Sequence, residues 1–272
     1  MKRTQRAEQD PQLRFYSRVF SGGFLHLGYF DDPATPPETM SLASIEQAQR
    51  RYAEEVLAPL EPENSPVLDV GCGMGGFLSL LTTRGFAAHG LTPDRHQIEH
   101  IGKTLPGIPL LHCRLEDLDV SNLREAFGAV LTAESLQYLD LKPAVAVLSQ
   151  VLRPGGKWSA CDYLPDSGSP RPSWQQVKAL ASHCGFRMLS ERNITPHVIP
   201  CLRFLQMLGN RFGIPAVDFL TEKLSIKQPG LHYLLQDTLE GVQLALKNGL
   251  TSIDPSTFLA AKTYRLLVFE KV

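Results

Sequence analysis

Val67-Leu68-Asp69-Val70-Gly71-Cys72-Gly73-Met74-Gly75-Gly76 decides the fold. The apolar run around Asp69 reads as a short buried strand, and residues 77–83 read as a helix. Between them Gly71, Gly73 and Gly75 let the backbone take left-handed angles and come close to a ligand. The helix start presents free N–H groups that suit an anion. Asp69 adds a carboxylate beside that turn, where an ammonium group would pair with it. A ligand carrying both charges, an amino-acid moiety, fits this turn.

Read outward, the pattern of strand, turn and helix repeats. Strands fall at 87–92, 110–113, 129–133 and 157–162, and helices at 95–103 and 143–152. The last of these helices is closed by Pro154-Gly155-Gly156. Such alternation predicts a parallel sheet with helices on both faces. Upstream, residues 44–60 read as a helix with Ser44 as N-cap and Gln47 closing the box. Downstream come a helix at 173–184, a strand at 186–193 and a final strand at 263–272. The stretch 196–249 between those strands is apolar and helical, with Leu231, Leu234, Leu235, Thr238, Val242 and Ala245 on one face. Asn248-Gly249 reads as its stop. The expected architecture is α/β, a Rossmann-like seven-stranded, mostly parallel sheet with a helical lid inserted between its last two strands. Its parts would be a helical cap segment (1–60), the core (61–195 and 259–272) and the lid (196–258).

Composition narrows the class. A chain of 272 residues with net charge -1 offers no electrostatic match for a polyanion, which argues against nucleic acid. Five scattered cysteines without a Cys-x-x-Cys pair fit buried thiols in a reducing compartment rather than disulfides or a zinc site. No apolar run reaches the length of a membrane span, and the polar residues 1–10 lack a signal-peptide core. These features predict a soluble, cytoplasmic protein without a metal site and without stable membrane insertion.

The glycine turn alone leaves two cofactors open. Gly71, Gly73 and Gly76 also satisfy a dinucleotide pattern, with Asp94 about twenty residues on. A tight turn without a ligand is the third reading. The rest of the chain resembles the class I SAM-dependent methyltransferases. Residues 67–75 resemble their first motif, Leu152-Arg153-Pro154-Gly155-Gly156-Lys157 their loop before strand five, and Leu115-Glu116-Asp117-Leu118 the segment that packs around adenine. The resemblance implies S-adenosyl-L-methionine (SAM) as cofactor, with Asp69, Gly71 and Gly73 at its amino-acid end. Many relatives carry an acid at the end of strand two to grip the ribose; here Thr92 stands there. Gly90-Leu91-Thr92-Pro93-Asp94-Arg95-His96-Gln97 resembles a branch that includes tocopherol, cyclopropane-lipid and isoprenoid-diphosphate methyltransferases. That likeness gives the ribose to Thr92 and Gln97, the adenine to Leu115 and Glu116, and a carboxylate contact to Tyr16. Asp94 then serves as a helix N-cap.

The acceptor side is less determined. Thr132-Ala133-Glu134-Ser135-Leu136-Gln137-Tyr138-Leu139 resembles the Glu-Ser-x-x-His region of natural-product and sugar O-methyltransferases, with Gln137 and Tyr138 where a basic His would stand. Three readings follow. His26, in a block resembling the segment that closes over SAM, could act as base or could only pack and gate. No base would be needed for an amine that is already neutral, giving N-methylation, or where positioning alone suffices. Glu134, which resembles a Glu of isoprenoid C-methyltransferases, could support carbon methylation or merely hold backbone. Tyr138 would face the acceptor, or simply pack. The apolar lid suits a hydrophobic or amphiphilic small molecule, natural-product-like or lipid-like. The same residues would also suit the face of a homodimer. An NAD-dependent oxidoreductase and a catalytically dead SAM-fold binding protein stand as rivals.

Overall fold

The computed structural model describes residues 22–168 and 172–272; Tyr16 lies outside them. The helices are α1 (Leu42–Leu57), α2 (Gly76–Thr83), α3 (Arg95–Thr104), α4 (Leu141–Val151), α5 (Trp174–His183), α6 (Thr195–Leu208), α7 (Ile214–Lys227), α8 (Pro229–Ser252) and α9 (Pro255–Ala261). The strands are β1 (Val67–Val70), β2 (Ala88–Leu91), β3 (Leu110–Leu111), β4 (Phe127–Ala133), β5 (Leu152–Leu164), β6 (Phe186–Asn193) and β7 (Thr263–Lys271). They form one seven-stranded sheet in the order β3-β2-β1-β4-β5-β7-β6. Strands β1 to β5 run parallel, and β7 is antiparallel to both β5 and β6.

The strand order turns back on itself between β1 and β4, which opens a crevice beyond their carboxyl ends. Side chains alternate across β1. Val67 joins a core cluster with Tyr52, Val56 and Leu57 of α1 and with Phe77, Leu78 and Leu81 of α2. Leu68 and Val70 point the other way, into a cluster with Val145 and Leu148 of α4 and Trp174 and Val177 of α5. Asp69 shares the face of Val67, because side chains two residues apart point the same way.

Several local readings are corrected. Helix α1 starts earlier than Ser44: Ser41 is the N-cap, and Ser41 and Ser44 bond each other's backbone N–H at 3.2 Å. Strand β5 includes Pro154-Gly155-Gly156 rather than beginning after them, although its ladder with β4 shifts register there. Helix α8 runs through Asn248-Gly249 to Ser252. Tertiary packing explains that extension. Leu246 and Leu250 lie against Gly213 and Gly209, where a side chain would collide with Leu250. Of the five cysteines, Cys72, Cys161 and Cys201 are buried, whereas Cys113 and Cys184 are only partly so.

Helices α6 to α9 form the insertion between β6 and β7. Helix α6 is anchored by buried Val198, Ile199, Leu202 and Phe204, whereas α7 and α8 contain no buried residue.

Candidate active site

The site is a cavity of about 1160 Å³ at the carboxyl ends of β1, β2 and β4. Its floor is the glycine turn. Gly71, Gly73 and Gly75 take φ of 78°, 56° and 90°, in the left-handed region. A Cβ on Gly71 would stand 2.8 Å from Cβ of Ser135, and one on Gly73 would stand 3.1 Å from Leu25. These glycines therefore serve both angle and space. The segment before α1 roofs the turn: Gly76 N–H donates to Gly23 O at 3.3 Å, and Phe24 packs on Gly76.

Polar groups line one half of this cavity. Asp69 is buried, and its Oδ2 has no hydrogen-bond partner. Burial raises its carboxyl pKa to about 7. At the end of β2, Thr92 donates to Gln97 Oε1 at 2.6 Å and accepts from Asp94 N at 3.2 Å. That leaves the amide N–H₂ as the donor end of Gln97. Asp94 caps α3 by accepting from His96 N at 2.7 Å and Gln97 N at 3.3 Å. The turn Leu115–Asp117 presents Glu116, whose Oε1 accepts from Arg114 at 2.9 Å and from Asp140 N at 2.7 Å. Burial opposes ionisation of Glu116, but those two donors outweigh it and hold the pKa below the usual carboxylate value. Its Oε2 is buried without a partner. Leu115 is fully buried behind it and also reaches the cavity wall.

The other half is mixed. Glu134 directly follows β4 with φ of 51°, unusual for a residue with a side chain. Its Oε1 accepts from Leu27 N at 2.9 Å and from the Tyr264 hydroxyl. Burial raises its pKa to about 7. Glu134 thus ties the roof segment to the sheet. His26 packs its ring 4.1 Å from that of Tyr52, and Nδ1 bonds Leu27 O at 2.8 Å. Because a carbonyl only accepts, Nδ1 carries the proton and Nε2 keeps a lone pair. Nε2 is buried without a partner, and burial lowers the imidazole pKa to about 4. A nitrogen of that basicity accepts a hydrogen bond but takes up a proton poorly. Tyr138 reaches the cavity yet is 74% exposed, so it sits at the mouth. Leu202, Leu205, Ile253 and Phe258 close the apolar wall from the insertion.

A model of the methyltransferase domain matches residues 67–156. The O-methyltransferase of Pyrenophora dematioidea is 31% identical over 214 residues, which cover 70% of this chain and 78% of that protein. The chain belongs to the class I SAM-dependent methyltransferases. The O-methyltransferase resE of Aspergillus sclerotiorum is 26% identical over 244 residues, 80% of this chain and 90% of that protein. A geranyl diphosphate C-methyltransferase from Streptomyces coelicolor A3(2) shares the fold: TM-score 0.69 at 16% identity, covering 99% of this chain and 96% of that one. The enzyme is thus a SAM-dependent methyltransferase of the small-molecule type, and the dinucleotide reading is set aside.

In this methyltransferase the residues picked out by sequence converge on one cavity: His26, Asp69, Gly71, Gly73, Thr92, Gln97, Leu115, Glu116, Glu134 and Tyr138 all line it. Sequence reasoning missed others. Ser135 faces Gly71 with its hydroxyl buried and unpartnered. Tyr264, on the last strand, bonds Glu134. Buried Asp162, with its pKa raised to about 7 by burial, accepts from Gln137 N and Nε2, both at 3.4 Å. Only Ser135 carried a signal, through its place after Glu134; the others depend on contacts between distant strands. Among the described residues no cluster of His, Cys, Asp and Glu could hold a metal ion, and no helix is long and apolar enough to cross a membrane.

Proposed function

We propose that this methyltransferase binds SAM along the polar half of the cavity and O-methylates an acidic hydroxyl of an apolar small molecule in the other half. The observation that carries the first part is a pair of orphaned carboxylate oxygens, Asp69 Oδ2 and Glu116 Oε2, lining one cavity. A buried carboxylate without a partner is costly, so the site is built for a ligand that brings donors. The amino-acid end of SAM brings an ammonium group for Asp69, and its adenine brings an amino group for Glu116. Gly71 and Gly73 admit the close approach, and the Thr92–Gln97 pair offers the Gln97 amide to ribose hydroxyls. When bound, SAM supplies an electrophilic methyl group on a sulfonium.

The choice of oxygen rests on the O-methyltransferases among the relatives and on His26. The Nε2 lone pair can accept a hydrogen bond from a hydroxyl and so orient it. At a pKa of about 4 it does not draw the proton off an ordinary alcohol. The hydroxyl must therefore be acidic in its own right, as in a phenol or enol. Glu134 holds the roof through Leu27 and acts as a positioning residue, while the insertion excludes water.

Calorimetric titration with S-adenosylhomocysteine, followed by incubation with methyl-labelled SAM and a series of apolar phenols and alcohols, tests this reading. Micromolar binding and methoxy products formed from phenols in preference to alcohols are expected. A product methylated on carbon or nitrogen removes the oxygen assignment; failure of Glu116→Gln to weaken the titration removes the adenine assignment.

A further inference from the structure

Among the described residues, two lysine or arginine side chains line the cavity, Arg114 and Lys262. Arg114 belongs to the polar half, where it pairs with Glu116 at 2.9 Å. Lys262 belongs to the other half, which Leu202, Leu205, Ile253 and Phe258 make apolar. A charge on an apolar wall needs a reason, because its desolvation opposes burial.

The fold holds this lysine at both ends. Lys262 caps α9, and its backbone N–H donates to Phe258 O at 2.9 Å. The next residue, Thr263, starts β7 and pairs with Leu164 of β5. Its Nζ lies 4.6 Å from the centroid of the Tyr163 ring, a cation–π contact. That ring in turn packs on Phe258 at 5.8 Å and on Tyr264 at 5.6 Å. The side chain is partly buried. The positive charge is therefore set in place before an acceptor enters, which favours selectivity.

The nearby acid does not account for it. Asp162 accepts from Tyr163 N at 2.7 Å and from Gln137 N at 3.4 Å. Burial raises its pKa to about 7, against those bonds and against the charge of Lys262. At Glu116 the balance is reversed: burial is outweighed by Arg114 and Asp140 N. A lysine placed to ionise Asp162 would act as Arg114 does.

We infer that Lys262 is a specificity-determining residue that binds a carboxylate on the acceptor, remote from the hydroxyl that is methylated. The distance follows from the sheet. Lys262 enters at β7, three strands from β1 in the order β1-β4-β5-β7, or about 14 Å at about 4.8 Å per step. The glycine turn, where SAM would lie, follows β1. One ammonium suits one negative charge. A phosphate or diphosphate would meet Glu134 and Asp162 with one cation to offset its charges. The inference rests on the proposed placement of SAM and acceptor in the two halves of the cavity, and it makes the acceptor amphiphilic.

The test is calorimetric titration of the full chain, saturated with S-adenosylhomocysteine. The probes are matched para-alkyl phenols whose chains end in carboxylate, methyl ester or primary amine, over a range of chain lengths. At the best length the carboxylate is expected to bind about tenfold or more tighter than the ester, as a charge-assisted hydrogen bond allows. Lys262→Met removes the charge but keeps an unbranched side chain, and is expected to erase that advantage. Lys262→Arg is expected to keep it. Lys262→Glu is expected to invert the order, with the amine bound more tightly than the carboxylate, a result that misfolding does not produce. With methyl-labelled SAM the same preference should appear in KM, with kcat roughly unchanged and the product carboxylate still free. Equal affinity of carboxylate and ester in the wild type, a preference that survives Lys262→Met, or a methyl ester formed from the carboxylate overturns the inference. Failure of the oxygen reading looks different: the carboxylate preference persists in the titration, while the label appears on carbon or nitrogen, or on none of the phenols.

Discussion

The glycine turn and the α7–α8 hairpin treat the same residue type in opposite ways. In the turn, Gly71 is held at a positive φ against Ser135, with Asp69 buried beside it and its Oδ2 lacking a partner. In the hairpin, Gly241 sits within a helix with nothing near its missing Cβ, and its neighbours are exposed. The turn keeps features that oppose stability, which the proposed cofactor site would account for; at Gly241 no contact requires the missing side chain. Instability concentrated at a cavity is thus a mark of function.

The largest effect is expected where that contrast is sharpest. Gly71→Ala combines a disfavoured φ with a collision at Ser135, and should weaken S-adenosylhomocysteine about 100-fold or more, against the roughly 1.4 kcal/mol that each tenfold represents. Affinity near wild type in calorimetry would mean that the turn is not the cofactor cradle. Asp69→Asn should separate function from stability. Losing one charge-assisted bond of about 1.5–3 kcal/mol lowers affinity roughly tenfold to 100-fold. The ligand-free protein should nevertheless become more stable at high pH. Burial lifts the Asp69 pKa to about 7, so the native state favours the protonated acid. Stability from that proton is complete below about pH 4 and lost as pH rises through about 7. The Asn variant escapes the loss and should gain on the order of 3 kcal/mol at pH 8, with no gain near pH 4, in denaturant unfolding.

Glu134→Gln tests the roof. The bond to Leu27 weakens by about 1 kcal/mol, so amide exchange over residues 24–30 should quicken severalfold. Turnover should fall while S-adenosylhomocysteine affinity changes by less than threefold. Unchanged exchange at Leu27 would show that Glu134 does not hold the roof. The smallest effect is expected in the hairpin: Gly241→Ala should raise stability by about 0.5–1 kcal/mol and leave ligand affinity unchanged. A loss there would show that the glycine is needed for close packing.

Much of this was legible in the chain. Strands Val67–Val70 and Phe186–Asn193 match the sequence reading at both ends, and Asp94 caps α3 as its position before Arg95 implied. These features are set by near neighbours. The misreadings share one cause. Ser44, Pro154-Gly155-Gly156 and Asn248-Gly249 are local signals to start or stop, and in each case a stronger interaction moved the boundary. Ser41 offered an earlier cap, β5 already pairs with β4 at Leu152 and resumes at Lys157 past the glycines, and Leu250 packed on Gly209. His26 shows the same limit in the site. Its type and segment were visible, but its neutrality follows from burial between Phe24, Tyr52 and Phe77, which residues far apart in the chain create together.

The sequence by itself determined the family, the sheet, and ten of the residues that line the cavity, from His26 to Tyr138. Apolar periodicity and glycine placement are written residue by residue, and they fix elements locally. Tertiary structure decided what each of those residues can do. It left Asp69 and Glu116 with an open oxygen, lowered the basicity of His26, and bound Glu134 to Leu27 and Tyr264. The reason is physical: protonation and hydrogen bonding depend on burial and on partners, and both come from strands and helices that meet only when the chain has folded.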